Sequence, residues 1–219
     1  GTGSNSTDQT LDLSQAVSNF NIDAFLIVVP YYNKPTQEGI YKHFSVIADN
    51  LDKPVMMYNV PGRTVADMQP ETVGRLSENK NIIGIKEATG DIKRLTAIKE
   101  LVSSDFLLFS GDDFTLYPFI KGGGHGVITV SGNVAPAQVA KLCRLAIEGQ
   151  HEEAITLDNS LQALNSALFV ESNPIPVKWA VSQMGLMQEF IRLPLTPYEK
   201  QFHDQMLGAL NKAGVKIEQ

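Results

Sequence analysis

The sequence holds a single cysteine, Cys143, and a single tryptophan among its 219 residues. One thiol cannot close an internal disulfide, so no disulfide framework holds this fold. A chain of this size does not need one, because a compact domain this long buries roughly 70% of its unfolded surface. Cys143 ends the helical stretch 139–143 (VAKLC) and reads as a small buried apolar residue in a reducing, cytoplasmic setting. Long apolar runs are also missing. The longest unbroken one, 24–29, has six residues, too few to cross a bilayer as a helix. Positive charge is in deficit, with 18 basic against 24 acidic residues and a net charge of −6. That argues against nonspecific binding to nucleic acid or to anionic membranes. The histidines, at 43, 125, 151 and 203, have no metal-ligand spacing. Gly1-Thr2-Gly3 lacks the rest of a phosphate-binding fingerprint. No metal site is expected.

What the sequence does have is a globular balance, 43% hydrophobic and 19% charged, which excludes disorder. Short apolar runs at 23–30, 54–60, 81–87, 105–110 and 125–131 read as strands buried on both faces. Helical patterns separate them. Residues 8–20 place Leu13, Ala16, Val17 and Phe20 on one stripe behind a capping box, Ser6-Thr7-Asp8-Gln9. Residues 37–50 do the same with Ile40, Phe44, Ile47 and Ala48. Pro70 suits a first helical turn, Asp91 a cap, and Asp113 the start of a short helix. Another helix follows Pro136 and ends at Gly149. After residue 150 the strands stop, and helices at about 151–169, 175–184 and 196–214 finish the chain. Strand–helix alternation with short links means a parallel sheet. Periodicity leaves two forms open: an open doubly wound sheet, or part of a closed (β/α)₈ barrel. In both, chemistry belongs at the carboxyl ends of the strands.

Lys86 ends the strand 81–87. Desolvation there disfavours its ammonium form and leaves a usable amine, which can attack a ketone to form a Schiff base. The competing reading is a strand-end lysine paired with Glu87 or Asp91. Tyr58 ends the strand 54–60, where a phenol can relay a proton. Arg63 follows on the loop Pro61-Gly62-Arg63-Thr64, where a guanidinium can grip a carboxylate. The plainer reading is a core-edge aromatic and a surface arginine. Tyr31 and Tyr32 follow the strand ending at Pro30. If extended, they point opposite ways, one toward a site and one toward an interface.

Taken together these strand ends become recognisable. Residues 30–39 (PYYNKPTQEG), 58–64 (YNVPGRT) and 84–91 (GIKEATGD) occur in order, followed by 110–113 (SGDD), 126–130 (GVITV) and 172–178 (SNPIPVK). The chain strongly resembles, along its whole length, the 4-hydroxy-tetrahydrodipicolinate (dihydrodipicolinate) synthase family of pyruvate-dependent class I aldolases. The resemblance implies a (β/α)₈ TIM barrel followed by a small C-terminal helical domain. Here 1–150 would be a partial barrel lacking its first three strands, and 151–219 the helical domain. It implies a lyase that condenses pyruvate with L-aspartate 4-semialdehyde in lysine and diaminopimelate biosynthesis. Lys86 would form the pyruvate Schiff base, and Tyr58 would relay protons. Tyr32 would complete the relay from a neighbouring subunit of a homodimer or homotetramer. Arg63 would bind the semialdehyde carboxylate, while Ile128 and Gly111 would line the substrate pocket. No metal or organic cofactor is implied.

Two departures from the family stand out. The strands before Gly1 are absent, and with them the loop that supplies a relay threonine. The missing segment is expected to be cleaved, unresolved or supplied as another chain, and residues 1–219 alone to be impaired. A regulatory lysine site would draw on Asn5, Tyr31 and Gln9. Gln9 stands where lysine-inhibited members commonly carry a glutamate, which argues against feedback inhibition. Two alternatives stay open: a sugar-acid aldolase of the N-acetylneuraminate or 2-keto-3-deoxygluconate type, and an inactive fragment or assembly partner.

Overall fold

A computed structural model describes residues 1–217. By contact the chain divides into two compact units, Gly1–Ile128 and the residues from Thr129 onward. The sequence reading placed the divide at 150. The difference arises because the helix after Pro136 packs with the later helices of the second unit.

The first unit is built on five parallel strands. They are β1 (Phe25–Val28), β2 (Val55–Asn59), β3 (Ile82–Glu87), β4 (Leu107–Ser110) and β5 (Gly126–Val127). Their order in the sheet is β1-β2-β3-β4-β5, the order of the chain itself. A doubly wound sheet reverses direction at a switch point, so this is a singly wound sheet. Every strand is found where an apolar run predicted it, one to five residues shorter. β5 is the most reduced, because the backbone turns into a 3-10 segment at Ser131–Asn133 rather than extending to 131.

The helices of this unit are α1 (Thr7–Ser18), α2 (Gln37–Asp49), α3 (Pro61–Thr64), α4 (Pro70–Ser77), α5 (Ile92–Lys99) and α6 (Leu116–Lys121). Local chemistry sets their starts. Thr36 Oγ1 accepts from Gly39 N at 3.1 Å, and Asp91 Oδ1 from Lys93 N at 2.9 Å. Pro70 opens α4 as expected. One face of the sheet is closed by helix side chains. Phe25, Ile27, Val55, Met57, Ile85 and Leu108 pack with Ile40, Phe44, Val73, Leu76, Leu95 and Ile98. Each large side chain buried in this way contributes about 1.5–3 kcal/mol. The alternate residues, Leu26, Val28, Met56, Tyr58, Lys86, Leu107 and Phe109, lie on the other face and are only half-buried.

Three local expectations are corrected. On α1 the buried positions are Thr10 and Ser14, with Leu11 and Val17 against the core, whereas Leu13 and Phe20 are 48% and 66% exposed. A polar seam explains this: Thr2 Oγ1 and Ser14 Oγ share a hydrogen bond of 2.8 Å, and Thr10 Oγ1 donates to Ser6 O. The capping box is half-formed. Ser6 Oγ accepts from Gln9 N, but the Gln9 side chain accepts from Ser4 Oγ. At the start of α6 the capping carboxylate is Asp112, which accepts from Thr115 N and Thr115 Oγ1, not Asp113.

The second unit is helical: α7 (Pro136–Ile147), α8 (His151–Ala167), α9 (Ile175–Gln183) and α10 (His203–Lys212). The last helix begins seven residues later than the predicted 196, after a 3-10 turn at Lys200–Phe202. Leu142, Leu145, Leu161, Leu164, Met206 and Leu210 form its buried stripes. Cys143, expected to be buried, is half-exposed on α7, because Leu142, Leu145 and Ala146 take the inward positions. Trp179, Tyr198 and His203 gather as an aromatic cluster, with Trp179 and His203 ring centroids 4.2 Å apart.

Candidate active site

Parallel pairing brings the two most conspicuous side chains together. In the register of β2 with β3, Tyr58 lies opposite Lys86 and Asn59 opposite Glu87. Side chains alternate along a strand, so Tyr58 and Lys86 share the half-buried face while Asn59 and Glu87 share the covered one. Lys86 Nζ stands over the Tyr58 ring, 4.3 Å from its centroid. Burial pushes the Lys86 amine below the ordinary lysine value; the Asp113 carboxylate opposes that shift, and the Arg63 guanidinium adds to it. Burial likewise raises the Tyr58 phenol, partly offset by Arg63. The result is an amine deprotonated more easily than usual beside a phenol that keeps its proton, a pairing suited to nucleophilic attack with proton transfer.

The competing partners of Lys86 are engaged elsewhere. Glu87 pairs with Arg94, its Oε2 3.0 Å from Nε, and Asp91 caps α5. Gly111 leaves the space that Lys86 needs, and Gly84 lets β4 approach closely. A Cβ at Gly111 would come within 2.8 Å of Lys86 Cε and 2.6 Å of Ala88 Cβ, and one at Gly84 would meet Leu107 O at 2.4 Å.

The strand ends make a shelf. Val29 N donates to Tyr58 O, Ala88 N to Asn59 O, Gly111 N to Glu87 O and Ile128 N to Ser110 O, at 2.7–2.9 Å. Tyr58 and Lys86 share one rung with Phe109 and Gly126, and Gly111 and Ile128 follow two residues beyond it. Arg63 was expected on a loop. It sits on the single helical turn α3, whose Pro61 occupies the first position, and it is near enough to act electrostatically on both Lys86 and Tyr58.

Tyr32 and Tyr31 are placed differently. Tyr32 has a positive φ of 72° and is 85% exposed, while its backbone N–H donates to Thr64 O beside α3. Tyr31 is also exposed. Of the three expected regulatory positions, Asn5 is joined to the segment after β1 by a bond from Asn33 Nδ2 to Asn5 O, 2.9 Å. Gln9 lies exposed on α1.

Sequence reasoning missed Asp113 as a site residue. It is buried just after β4, where its carboxylate acts on Lys86. The SGDD turn at a strand's carboxyl end was the available signal. Among the described residues, no three His, Cys, Asp or Glu side chains gather as metal ligands would, and no helix is long and apolar enough to cross a membrane.

Known proteins resemble this chain along nearly its whole length. The model of the dihydrodipicolinate synthetase family matches residues 1–213. The 4-hydroxy-tetrahydrodipicolinate synthase of Saccharophagus degradans is 52% identical over 215 residues, which cover 98% of this chain and 74% of that relative. The enzyme of the same name from Psychromonas ingrahamii is 53% identical, over 97% and 73%. Among solved structures, the chloride-inhibited dihydrodipicolinate synthase of Acinetobacter baumannii complexed with pyruvate superposes with a TM-score of 0.96 at 45% identity, over 99% of this chain and 74% of that one. The Thermotoga maritima enzyme gives 0.95 at 41%, over 98% and 74%. With a family match over nearly its whole length and relatives at about half identity, the chain belongs to the dihydrodipicolinate synthetase family.

Proposed function

We propose that this chain carries the active site of a 4-hydroxy-tetrahydrodipicolinate synthase, a lyase that joins pyruvate to L-aspartate 4-semialdehyde. One observation carries the reading: a half-buried Lys86, its amine pKa lowered, lies rung to rung with Tyr58 at the strand ends of a family member. The Lys86 amine adds to the pyruvate ketone, and loss of water gives the Schiff base. Loss of a methyl proton gives the enamine, whose carbon attacks the aldehyde. The semialdehyde's own amine then displaces Lys86 as the ring closes. Tyr58 holds and returns the protons that these steps move. Arg63 binds the semialdehyde carboxylate, and Gly111 and Ile128 border the pocket. No external cofactor takes part in this scheme, and the reaction is placed in the cytoplasm, in lysine and diaminopimelate synthesis.

Tyr32 would complete the relay from a second copy of the chain in a homodimer or homotetramer. Its exposure and its strained backbone support that role. The positions Asn5, Tyr31 and Gln9 belong to the same proposal as a lysine-type site without feedback inhibition, because Gln9 brings no carboxylate to a ligand's ammonium. So does the closed barrel. Sequential parallel strands with one face covered and one half-open support a sheet that continues beyond its edges. Relatives that are all named as this synthase do not favour a sugar-acid aldolase or an inactive partner.

Borohydride reduction in the presence of pyruvate tests the chemistry. The expected result is one pyruvate-derived adduct, mapped to Lys86 and abolished by Lys86→Arg. Because the Lys86 pKa is lowered, labelling should persist below the pH at which an ordinary lysine falls silent, and should fade as acid finally protonates the amine. An adduct elsewhere, with Lys86 unmodified, would refute the assignment.

A further inference from the structure

We propose that a polar clamp on the covered face, made by Asn59, Glu87, Arg94 and Asp67, positions Tyr58, Lys86 and Arg63; the inference rests on the reading of the site given above. Three of the four clamp residues follow a reacting one closely in sequence. Asn59 comes directly after Tyr58 and Glu87 directly after Lys86, while Asp67 ends the segment that carries Arg63. Asn59 is 0% exposed and Glu87 4%. A buried carboxylate and amide are costly unless their hydrogen bonds are complete, and here they are met from four directions. Asn59 Nδ2 donates to Glu87 Oε2 at 3.1 Å and to Asp67 Oδ1 at 2.9 Å, and Asn59 Oδ1 accepts from Met68 N at 3.0 Å. Glu87 Oε1 accepts from Thr89 N at 2.9 Å. Arg94, reaching back from α5, donates through Nε to Glu87 Oε2 at 3.0 Å and through its terminal nitrogens to Asp67 and to Met68 O.

The pieces so joined are the end of β2, the end of β3 and the far end of the α3 segment. Strand ends fray when only ladder bonds hold them. Here the last rung is fixed by charge-assisted bonds with the directional fork of a guanidinium. The clamp side chains lie on the opposite face from Lys86 Nζ and do not meet the reacting atoms. They are positioning residues, acting through the backbone from one face of the sheet to the other. A clamp serving folding alone would need no connection to the segment of Arg63, yet Asp67 supplies one.

The test uses the full 219-residue chain and pyruvate trapping at Lys86. Glu87→Gln and Arg94→Met should lower the limiting labelling rate about tenfold or more, with the half-saturating pyruvate concentration changed less than about twofold. Arg94→Lys, which keeps one charged contact, should recover part of the loss. Ile98→Val, a change in the core of α5 that lowers melting temperature without touching the clamp, should leave both values unchanged. Asp67→Asn should leave labelling intact and raise amide exchange across 60–66 about tenfold. Should Glu87→Gln fail to fold, Arg94→Lys and Asp67→Asn decide the matter, since Asp67 is partly exposed. Glu87→Gln or Arg94→Met labelling at the wild-type rate would overturn the proposal, as would unchanged amide exchange across 60–66 in Asp67→Asn or an equal loss in Ile98→Val. An unsubstituted chain that takes no label at Lys86 would bring down the reading of the site and the clamp's role with it, so the two failures are told apart.

Discussion

The two faces of the same sheet are built to different specifications. On the covered face, residue after residue is fully buried: Ile27, Val55, Met57 and Ile85 are all 0% exposed. Even the polar positions there, Asn59 and Glu87, have their hydrogen bonds met by neighbours. On the other face, Leu26, Val28, Met56 and Leu107 are only partly buried, and Tyr58 and Lys86, the proposed reacting pair, lie among them. Alternation along a strand assigns stability to one set of positions and reactivity to the next. A slip of one residue in register would exchange the two sets.

The sharpest way to break that comparison is to shorten side chains in adjacent positions. Met57→Ala on the covered face should cost about 2–5 kcal/mol, because it leaves a cavity that close-packed neighbours cannot fill. Met56→Ala, next in sequence, should cost less than about half as much, since water already reaches the site. Urea midpoints for the pair measure the difference, and equal losses would mean that both faces are equally packed.

Acid offers the next largest effect. His43, buried on α2, bonds through Nδ1 to Thr7 Oγ1 at 2.9 Å, and burial lowers its pKa from 6.5 to about 4. Among the described residues its Nε2 has no hydrogen-bond partner. The unfolded chain takes up this proton first as pH falls below 6.5, so stability is lost progressively between 6.5 and about 4. The loss reaches about 3 kcal/mol at most. His43→Phe should flatten that part of the profile of unfolding free energy against pH. An unchanged slope would assign the acid sensitivity to other groups.

The smallest effect is expected at the rim. Arg75 pairs with Glu38 at 3.0 Å and lies over the Tyr41 ring at 3.9 Å, but both charged side chains are about half-exposed. Arg75→Met should lower stability by about 0.5 kcal/mol or less, read as a small shift in melting temperature.

Much of this was legible in the residues. The strands announced themselves because nearly continuous apolar runs suit a sheet with helices against it, and Lys86 and Tyr58 stood out as polar groups closing such runs. The rest depended on partners far apart in sequence. Helical spacing pointed to Leu13 and Phe20 as the inner stripe of α1, yet that surface is taken by Thr10 and Ser14, whose hydroxyls find partners in the segment beginning at Thr2. Asp113 read as a cap because capping is what an aspartate before a helix usually does; its neighbour Asp112 makes those bonds instead. The clamp was invisible because Arg94 and Asp67 are separated by 27 positions, and nothing local marks them as partners.

Tyr58 and Lys86 meet as cross-strand partners in a hydrogen-bonded ladder, so their separation is a repeat of the β-lattice, about 4.8 Å from backbone to backbone. Loop remodelling leaves such a spacing alone. The connection at 61–66, short of Asp67, could therefore be recut to admit a different aldehyde in the proposed reaction while the amine and phenol keep their distance. In protein-engineering terms the proposed function separates a lattice-fixed reactive core from an exchangeable acceptor module.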